Sequence, residues 1–561
     1  MSGLIYGIRS VLRLVSNLFR RLGKAPDYVT FTIEGPIPET APPRPPFPRN
    51  LLASKVLTLR TLGKQLRHVA HDPRVKGIVL RLYGVSAPPA QLQGLRDLIH
   101  EIRGTGKRVI VWSHDYDLAT YYVANAADDI LLQYGGSVTA FGQELRYYFL
   151  ADALERIGIK GDFVQITPYK TAPDMVIRTS MSDEAREMAN WLIEDLYQQY
   201  LGGIAQGRSL SVDDVKKLID DCPYTSARAQ TEGVVDRVLG EEELPVYLGT
   251  ESDPVKLASY TTAKKRLLSA PLTRPGKCVA VLRLAGDIID GRSATPPFKA
   301  PFRVPLLFSE KAGDLTVVQQ ARGLARNKRV SAVVVHVDSG GGSATSSEAM
   351  AAALQTVADV KPLIISMGTV AASGGYYVAT PGAKIIAQPG TLTGSIGVVT
   401  GKLVTAGLYE KILFHRETIS RGKHAGYFSG AQPFTDEERQ SLRNSIDQIY
   451  GQFVKRVADS RGMSAEDVVA VGGGRVWTGA QAKEHGLVDE MGGLDLAIQR
   501  AREAAGLSLH CRVQEIKPSK KLLAPTAAST AGVIDYAMQG LRMIRPGNVL
   551  FLTTLLPWDA E

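Results

Sequence analysis

Cysteine is nearly absent: Cys222, Cys278 and Cys511 are the only three in 561 residues, far apart and without a C-x-x-C pair. That excludes a disulfide framework and a cysteine-based zinc site. The chain also lacks a clean apolar run of about 20 residues, the length a spanning helix needs. No small-residue cleavage site follows an uninterrupted apolar core at the start, as a removable signal peptide requires. Charge of one sign is scarce beyond the N-terminus. The 66 basic and 56 acidic residues leave +10, and Arg9, Arg13, Arg20, Arg21 and Lys24 supply half of that excess before the first acid, Asp27. The remainder is spread too thinly for a nucleic-acid footprint. Phosphate-loop chemistry is missing as well, since Gly422-Lys423-His424 has no following hydroxyl and Glu417 stands where the leading glycine belongs. A dinucleotide fingerprint is absent, and Ala371 occupies the first position of what would be a G-x-S-x-G elbow around Ser373. No cofactor and no metal site are expected. Hydrophobic residues at 44% and a mean hydropathy of −0.04 describe an ordinary globular chain, long enough for two large domains.

The first residues carry a pattern of their own. Leu4, Ile8, Val11, Leu12, Val15, Leu18 and Phe19 recur at helical spacing, with Arg9, Arg13, Asn17 and Arg20 between them. This predicts an amphipathic helix over 4–19, suited to lying in a membrane interface and drawn to anionic lipid by its arginines. The alternative is a helix packed on the protein's own body or on a partner. A proline-rich stretch, Pro36 to Pro48, reads as an extended surface segment.

The rest of the chain repeats itself. Tyr121-Tyr122-Val123-Ala124 recurs as Tyr376-Tyr377-Val378-Ala379, 255 residues later, and Arg74-Val75 recurs as Arg329-Val330 at the same offset. Thr225 through Gly233 to Asp236 returns as Thr478 through Gly486 to Asp489, at 253. The expected organisation is therefore an N-terminal helix over 1–25, one repeat over 26–265, a second over 266–506 and a tail over 507–561. The tail contains an apolar run, Val549–Leu552, with no assigned role. Within each repeat, short β-branched runs such as Val333–Val337 alternate with helical patterns such as Ser346–Ala358. That alternation predicts an α/β fold with largely parallel strands, whose ligand sites favour the carboxyl ends of the strands.

Two glycine-rich segments stand at such ends in the second repeat. One reads Asp338-Ser339-Gly340-Gly341-Gly342-Ser343, the other Ala371-Ala372-Ser373-Gly374-Gly375-Tyr376. Small residues around Ser373 let a substrate backbone approach its hydroxyl. Amides beside it at Gly374, with a second donor from Gly341 or Gly342, suit a developing oxyanion. Counting back 255 residues, Ser373 becomes Leu118 and the triple glycine becomes Val85-Ser86-Ala87. One repeat keeps a candidate site and the other does not.

Ser339-Gly340-Gly341-Gly342-Ser343, Ala371-Ala372-Ser373-Gly374-Gly375-Tyr376, Gly390-Thr391-Leu392-Thr393-Gly394-Ser395-Ile396-Gly397, and Trp477-Thr478-Gly479 through Asp489 together resemble signal peptide peptidase A in its long tandem form. The resemblance runs from about Val29 to Ala505. It implies a serine peptidase with a Ser/Lys dyad, on tandem Clp-protease and crotonase-like α/β domains, assembled into a dome-shaped oligomer, a homotetramer. It also implies Ser373 as nucleophile and Lys170, in the first repeat, as general base. Lys423 is the second choice, because it lies 50 residues beyond Ser373 and aligns with Lys170 at an offset of 253. A ring alternating first and second repeats would pair Lys170 with Ser373 and leave Lys423 facing the empty site at Leu118.

A lysine can serve as base only when burial lowers its pKa from about 10.4. His336 is the nearest histidine, read as half-buried and structural. Ser395, Asp338 and Glu348 are read as structural, with an orienting role open, and Tyr376 and Tyr377 as core. The implied activity is endopeptidase action on apolar peptides such as cleaved signal peptides, at a membrane surface. The implied location is a bacterial inner membrane, on a side the sequence leaves open. Two rivals are a catalytically silent peptide-binding scaffold and a crotonase-like acyl-CoA enzyme.

Overall fold

The computed structural model describes residues 2–41, 56–270, 272–273, 276–296, 309–516, 536 and 550–552. Most of the proline-rich stretch and most of the tail therefore lie outside the described residues. Two parallel sheets dominate. The first runs in the order Leu257–Ser259, Tyr28–Pro36, Gly77–Ser86, Arg108–Ser113, Asp129–Leu132 and Arg237–Val238. The second repeats it with Val513–Glu515, Cys278–Ala285, Val330–Ser339, Leu363–Ala372, Lys384–Ala387 and Glu490–Met491, again parallel. Valine-rich central strands such as Val330–Ser339 are buried on both faces, which is why they read as continuous apolar runs.

The repetition extends to single hydrogen bonds. Tyr121 donates through its hydroxyl to the Val234 carbonyl, as Tyr376 does to that of Leu487. Asp236 accepts from the Ile130 amide, as Asp489 does from that of Ile385. These duplicated bonds tie the same strand ends to the same helices in each half, and they place both tyrosines in the core.

One element joins the halves and positions the site. Lys160–Gln165, from the first half, lies antiparallel to Val399–Val404 from the second, with Lys160 opposite Val404 and Gln165 opposite Val399. Val164 is buried in the core of the second half. The helix Asp183–Arg208 follows, and its Met188 and Leu192 pack with Val370, Leu392 and Val476 of the other half. Trp191 stacks on Trp477, ring centroids 4.8 Å apart, and donates to the Val476 carbonyl. Burying such aromatic area is what holds two halves at one angle.

The N-terminal helix spans Ser2–Leu22. Its polar side docks on the connection between the halves: Tyr6, Asn17 and Arg20 donate to the carbonyls of Leu272, Ser269 and Leu267. Its apolar side, with Ile8, Val11, Leu12, Val15, Leu18 and Phe19, faces outward. One face of this helix therefore packs on the protein's own body, as the alternative expectation has it, while the other is open. No helix among the described residues is long and apolar enough to cross a membrane.

Candidate active site

Strand Leu363–Ala372 ends at Ser373, and helix Gly374–Ala379 begins directly after it. The turn is so sharp that Ser373 sits at φ 55° and ψ −115°, a backbone conformation that costs a non-glycine residue of the order of 1–3 kcal/mol. The two glycines that follow allow it. A Cβ on Gly375 would lie 2.4 Å from the Ser339 carbonyl oxygen, and one on Gly374 would lie 2.7 Å from Ser347 Oγ and 3.3 Å from the Gly342 nitrogen. Only glycine lets this turn fold down onto the segment Gly341–Ser343. The Ser373 amide donates to the Gly394 carbonyl at 2.8 Å, which pins the strained residue.

Lys170 arrives from the first half, five residues beyond the strand that crosses between the halves. Its Nζ lies 2.8 Å from Ser373 Oγ, 2.9 Å from the Ser395 carbonyl oxygen and 2.9 Å from Ser395 Oγ. Lys170, Ser373 and Ser395 are all buried. No carboxylate contributes to the environment of the lysine, and burial alone holds its pKa far below the ordinary lysine value. A neutral amine has two N–H donors and one lone pair. The two oxygens of Ser395 take the donors, and the lone pair is left for the Ser373 hydroxyl.

The lysine loop is held by close contacts. Gly474, at φ 91°, packs so tightly that a Cβ there would be 2.6 Å from the Lys170 nitrogen, and a Cβ on Gly397 would be 3.2 Å from Lys170 Cδ. Thr167 donates to the Gly473 carbonyl. Arg475 lies over the Tyr169 ring, 4.0 Å from its centroid. The run Gly472-Gly473-Gly474 was visible in the sequence, but nothing in its composition linked it to a residue 300 positions earlier.

The remaining candidates fall elsewhere. Lys423 is exposed and bonds to Glu437 at 2.5 Å, so it is not brought to Ser373. The Gly341 amide donates to Ser339 Oγ at 3.2 Å, and Gly342 lies in a strand opposite Ile288 on one side and Phe551 on the other. His336 is fully buried rather than half-buried. It contacts Ser366 Oγ at 3.2 Å, and burial, with the cations Arg283 and Arg60 nearby, pushes its pKa down to about 3. Asp338 accepts from the Val370 amide and braces the strand that leads to the serine. Glu348 is held by Tyr377 and Arg456. Ser395 is the residue that sequence reasoning undervalued: it supplies two of the three oxygens around Nζ. The segment Leu550–Leu552 of the tail forms a strand antiparallel to Gly341–Ser343, beside the serine turn.

Comparison with known proteins agrees with this architecture. Peptidase family S49 matches residues 101–249 and 355–508, one stretch in each half. The chain belongs to peptidase family S49. It is 31% identical over 502 residues to the chloroplastic serine protease SPPA of Arabidopsis thaliana, covering 86% of this chain and 72% of that one. It is 29% identical to Protease 4 of Haemophilus influenzae over 80% of this chain and 73% of the relative. It is 30% identical to Protease 4 of Salmonella typhi over 79% and 71%. This S49 chain is thus a serine protease of the long, two-domain form.

Proposed function

We propose that this S49 protease is a membrane-associated endopeptidase that cuts apolar peptides, such as cleaved signal peptides, with Ser373 as nucleophile and Lys170 as general base. The observation that carries the reading is the buried amine 2.8 Å from the serine hydroxyl, with no carboxylate to keep it charged. Neutral Lys170 takes the hydroxyl proton as Ser373 Oγ attacks the peptide carbonyl carbon. The Gly374 and Gly342 amides receive the resulting oxyanion. The lysine ammonium then passes its proton to the departing amine, leaving an acyl-enzyme. Water then enters and gives a proton to the same amine as its oxygen attacks the acyl carbon, and the ammonium returns that proton to Ser373 Oγ as the ester bond breaks, releasing the peptide acid.

Two features support an extended, apolar substrate. The edge Gly341–Ser343 already accepts an antiparallel strand from the tail, so it is built to hold a peptide main chain. The outward apolar face of the N-terminal helix, flanked by Arg9, Arg13 and Arg21, suits an anionic lipid surface where such peptides collect. The reading includes self-assembly into a dome-like homotetramer of Clp-protease and crotonase-like domains, without cofactor.

Labelling with a serine-reactive phosphonate, followed by peptide mapping, tests the chemistry. The label is expected on Ser373 in the full chain and is expected to vanish in Ser373→Ala. Labelling at another serine, or none in a chain that still cleaves peptides, overturns the assignment. Cleavage of apolar peptides should exceed that of charged ones of equal length, and vesicles with anionic lipid should bind the chain while neutral ones bind it weakly.

A further inference from the structure

Arg475 connects the loop that carries Lys170 to the residue that holds the lysine amine. Its carbonyl accepts from the Ser395 amide at 2.6 Å and so pins a serine whose own φ is 51°. Its guanidinium lies over the ring of Tyr169, the residue next to the base. One guanidinium nitrogen donates to the Gly472 carbonyl at 3.2 Å, so the side chain is aimed by its own loop. Tyr169 is gripped from the first half as well: it stacks on Trp191, ring centroids 6.1 Å apart, and its hydroxyl donates to Glu187 at 2.5 Å. Gly474 and Gly397 only leave room for the lysine. The guanidinium over the ring face supplies attraction, because a planar, weakly hydrated cation is drawn to the electron-rich face of an aromatic.

The repeats show what this contact is for. Val476–Thr478 lies antiparallel to Leu392–Gly394 with Thr478 opposite Leu392, and in the first half Tyr224–Thr225 lies antiparallel to Ser137–Thr139 with Thr225 opposite Ser137. Thr478 and Thr225 each cap the helix that follows. That register makes Cys222 the counterpart of Arg475, and Ile219-Asp220-Asp221 the counterpart of Gly472-Gly473-Gly474. On the lysine side, the helices Asp183–Arg208 and Asp436–Arg461 match end for end, which makes Gly422 the counterpart of Tyr169 and Asn444 that of Trp191. Features that only build the fold, such as the threonine caps, are kept in both halves. Guanidinium and ring are present where a lysine meets a serine, while the silent repeat has Cys222 and the exposed Lys423 has Gly422.

We propose that Arg475 is a positioning residue for the reaction: by clasping the Tyr169 ring with its guanidinium and Ser395 with its carbonyl, it fixes the Lys170 amine between Ser373 and Ser395 and keeps water from it. The proposal rests on the dyad reading above and deepens it. A lysine side chain swings about four carbon–carbon bonds, so an amine held 2.8 Å from a hydroxyl needs its backbone fixed as well as its tip. Ser395 fixes the tip, and the clasp on the preceding residue fixes the backbone. A displacement of about 1 Å at a reacting group is enough to cost about 10²-fold in rate.

The test is steady-state peptide hydrolysis by the full chain over a pH series, with the folding of each variant checked by its melting transition. Lys170→Ala is the reference and should be inactive. Arg475→Ala and Tyr169→Ala should each lower kcat at least about tenfold with KM within twofold. Both should move the acid limb of the pH–rate profile to higher pH, because water admitted to the amine returns its pKa toward the ordinary lysine value. Tyr169→Ala removes no charge, so a shared shift assigns the effect to hydration of the amine and not to the lost guanidinium. Tyr169→Phe keeps the ring and should recover most of the rate, which keeps the proposal testable if Arg475→Ala does not fold. The double variant should be within twofold of the slower single variant, as two residues acting through one contact require. Arg228→Ala, which removes a like contact with the Tyr224 ring in the first half, should keep kcat within twofold. Normal turnover in Arg475→Ala beside an inactive Lys170→Ala overturns this proposal alone, as does an unmoved acid limb or losses that multiply in the double variant. A tenfold loss in Tyr169→Phe or Arg228→Ala overturns it too. Full turnover in Lys170→Ala would overturn the dyad and this proposal with it.

Discussion

The two halves share strand order, capping residues and even individual tyrosine hydrogen bonds, yet only one holds a buried serine at a strained turn. The positions around that serine differ between the halves. Ser373 answers Leu118, Ser395 answers Ala140, and the glycines at 340–342 answer Val85-Ser86-Ala87. The fold therefore accepts leucine where the other half has serine, without loss of the sheet. Leu118 is buried in the first core, where it adds apolar contact instead of strain. Lysines divide the other way: both halves keep one, but Lys170 is buried against the second half and Lys423 is ion-paired in solvent. What distinguishes a buried amine beside a serine from a surface charge here is location, set by a strand that pairs across the halves.

That comparison can be broken or sharpened by substitution. The largest effect is expected from Ser373→Ala, which should lower kcat at least about 10³-fold. Leu118→Ser in the same background should restore nothing, because Ala119 and Thr120 stand where Gly374 and Gly375 shape the turn after Ser373; recovered turnover in a peptide assay would show the first half to be a latent site. Next, Gly474→Ala places a Cβ against the Lys170 backbone at a left-handed position. It should cost about 10–100-fold in kcat and lower the melting temperature, whereas the same change at Gly422, where a Cβ would meet nothing, should cost little beyond backbone strain.

Ser395→Ala removes one acceptor from the amine and should lower kcat roughly tenfold with KM within twofold. Because the ammonium form loses a partner, the acid limb of the pH–rate profile should move to lower pH; an unmoved limb would make Ser395 a packing residue only. The smallest effect is on stability. Burial lowers the pKa of folded Lys170 below its unfolded value, so between those two values the unfolded chain binds the extra proton and the buried amine costs stability. Lys170→Met should therefore raise the melting temperature by a few degrees at neutral pH. The gain should shrink as pH climbs toward about 10.4, where the unfolded lysine also becomes neutral. A gain that does not depend on pH would assign the change to packing instead.

Much of this could be read from the chain. The 255-residue offset revealed the repeats because duplicated cores keep their tyrosines and strand ends. The Ala-Ser-Gly-Gly-Tyr run marked the serine turn because only glycine permits its approach to the neighbouring strand. What escaped the sequence depended on contacts across the halves. Gly474 against Lys170, Trp191 on Trp477 and Ser395 around the amine are separated by hundreds of residues or by the fold itself, and no local periodicity records them. The polar docking of the N-terminal helix escaped for the same reason: Tyr6 and Asn17 look like an ordinary wet face until the connection between the halves supplies carbonyls for them.

The most direct measurement of the central claim is peptide hydrolysis by Lys170→Ala beside Lys423→Ala, each in the full chain and each over a pH series. A proton acceptor delivered from the first half predicts that the first variant loses turnover at every pH while the second keeps the wild-type rate and profile. Retained turnover in Lys170→Ala, with loss in Lys423→Ala, would contradict it.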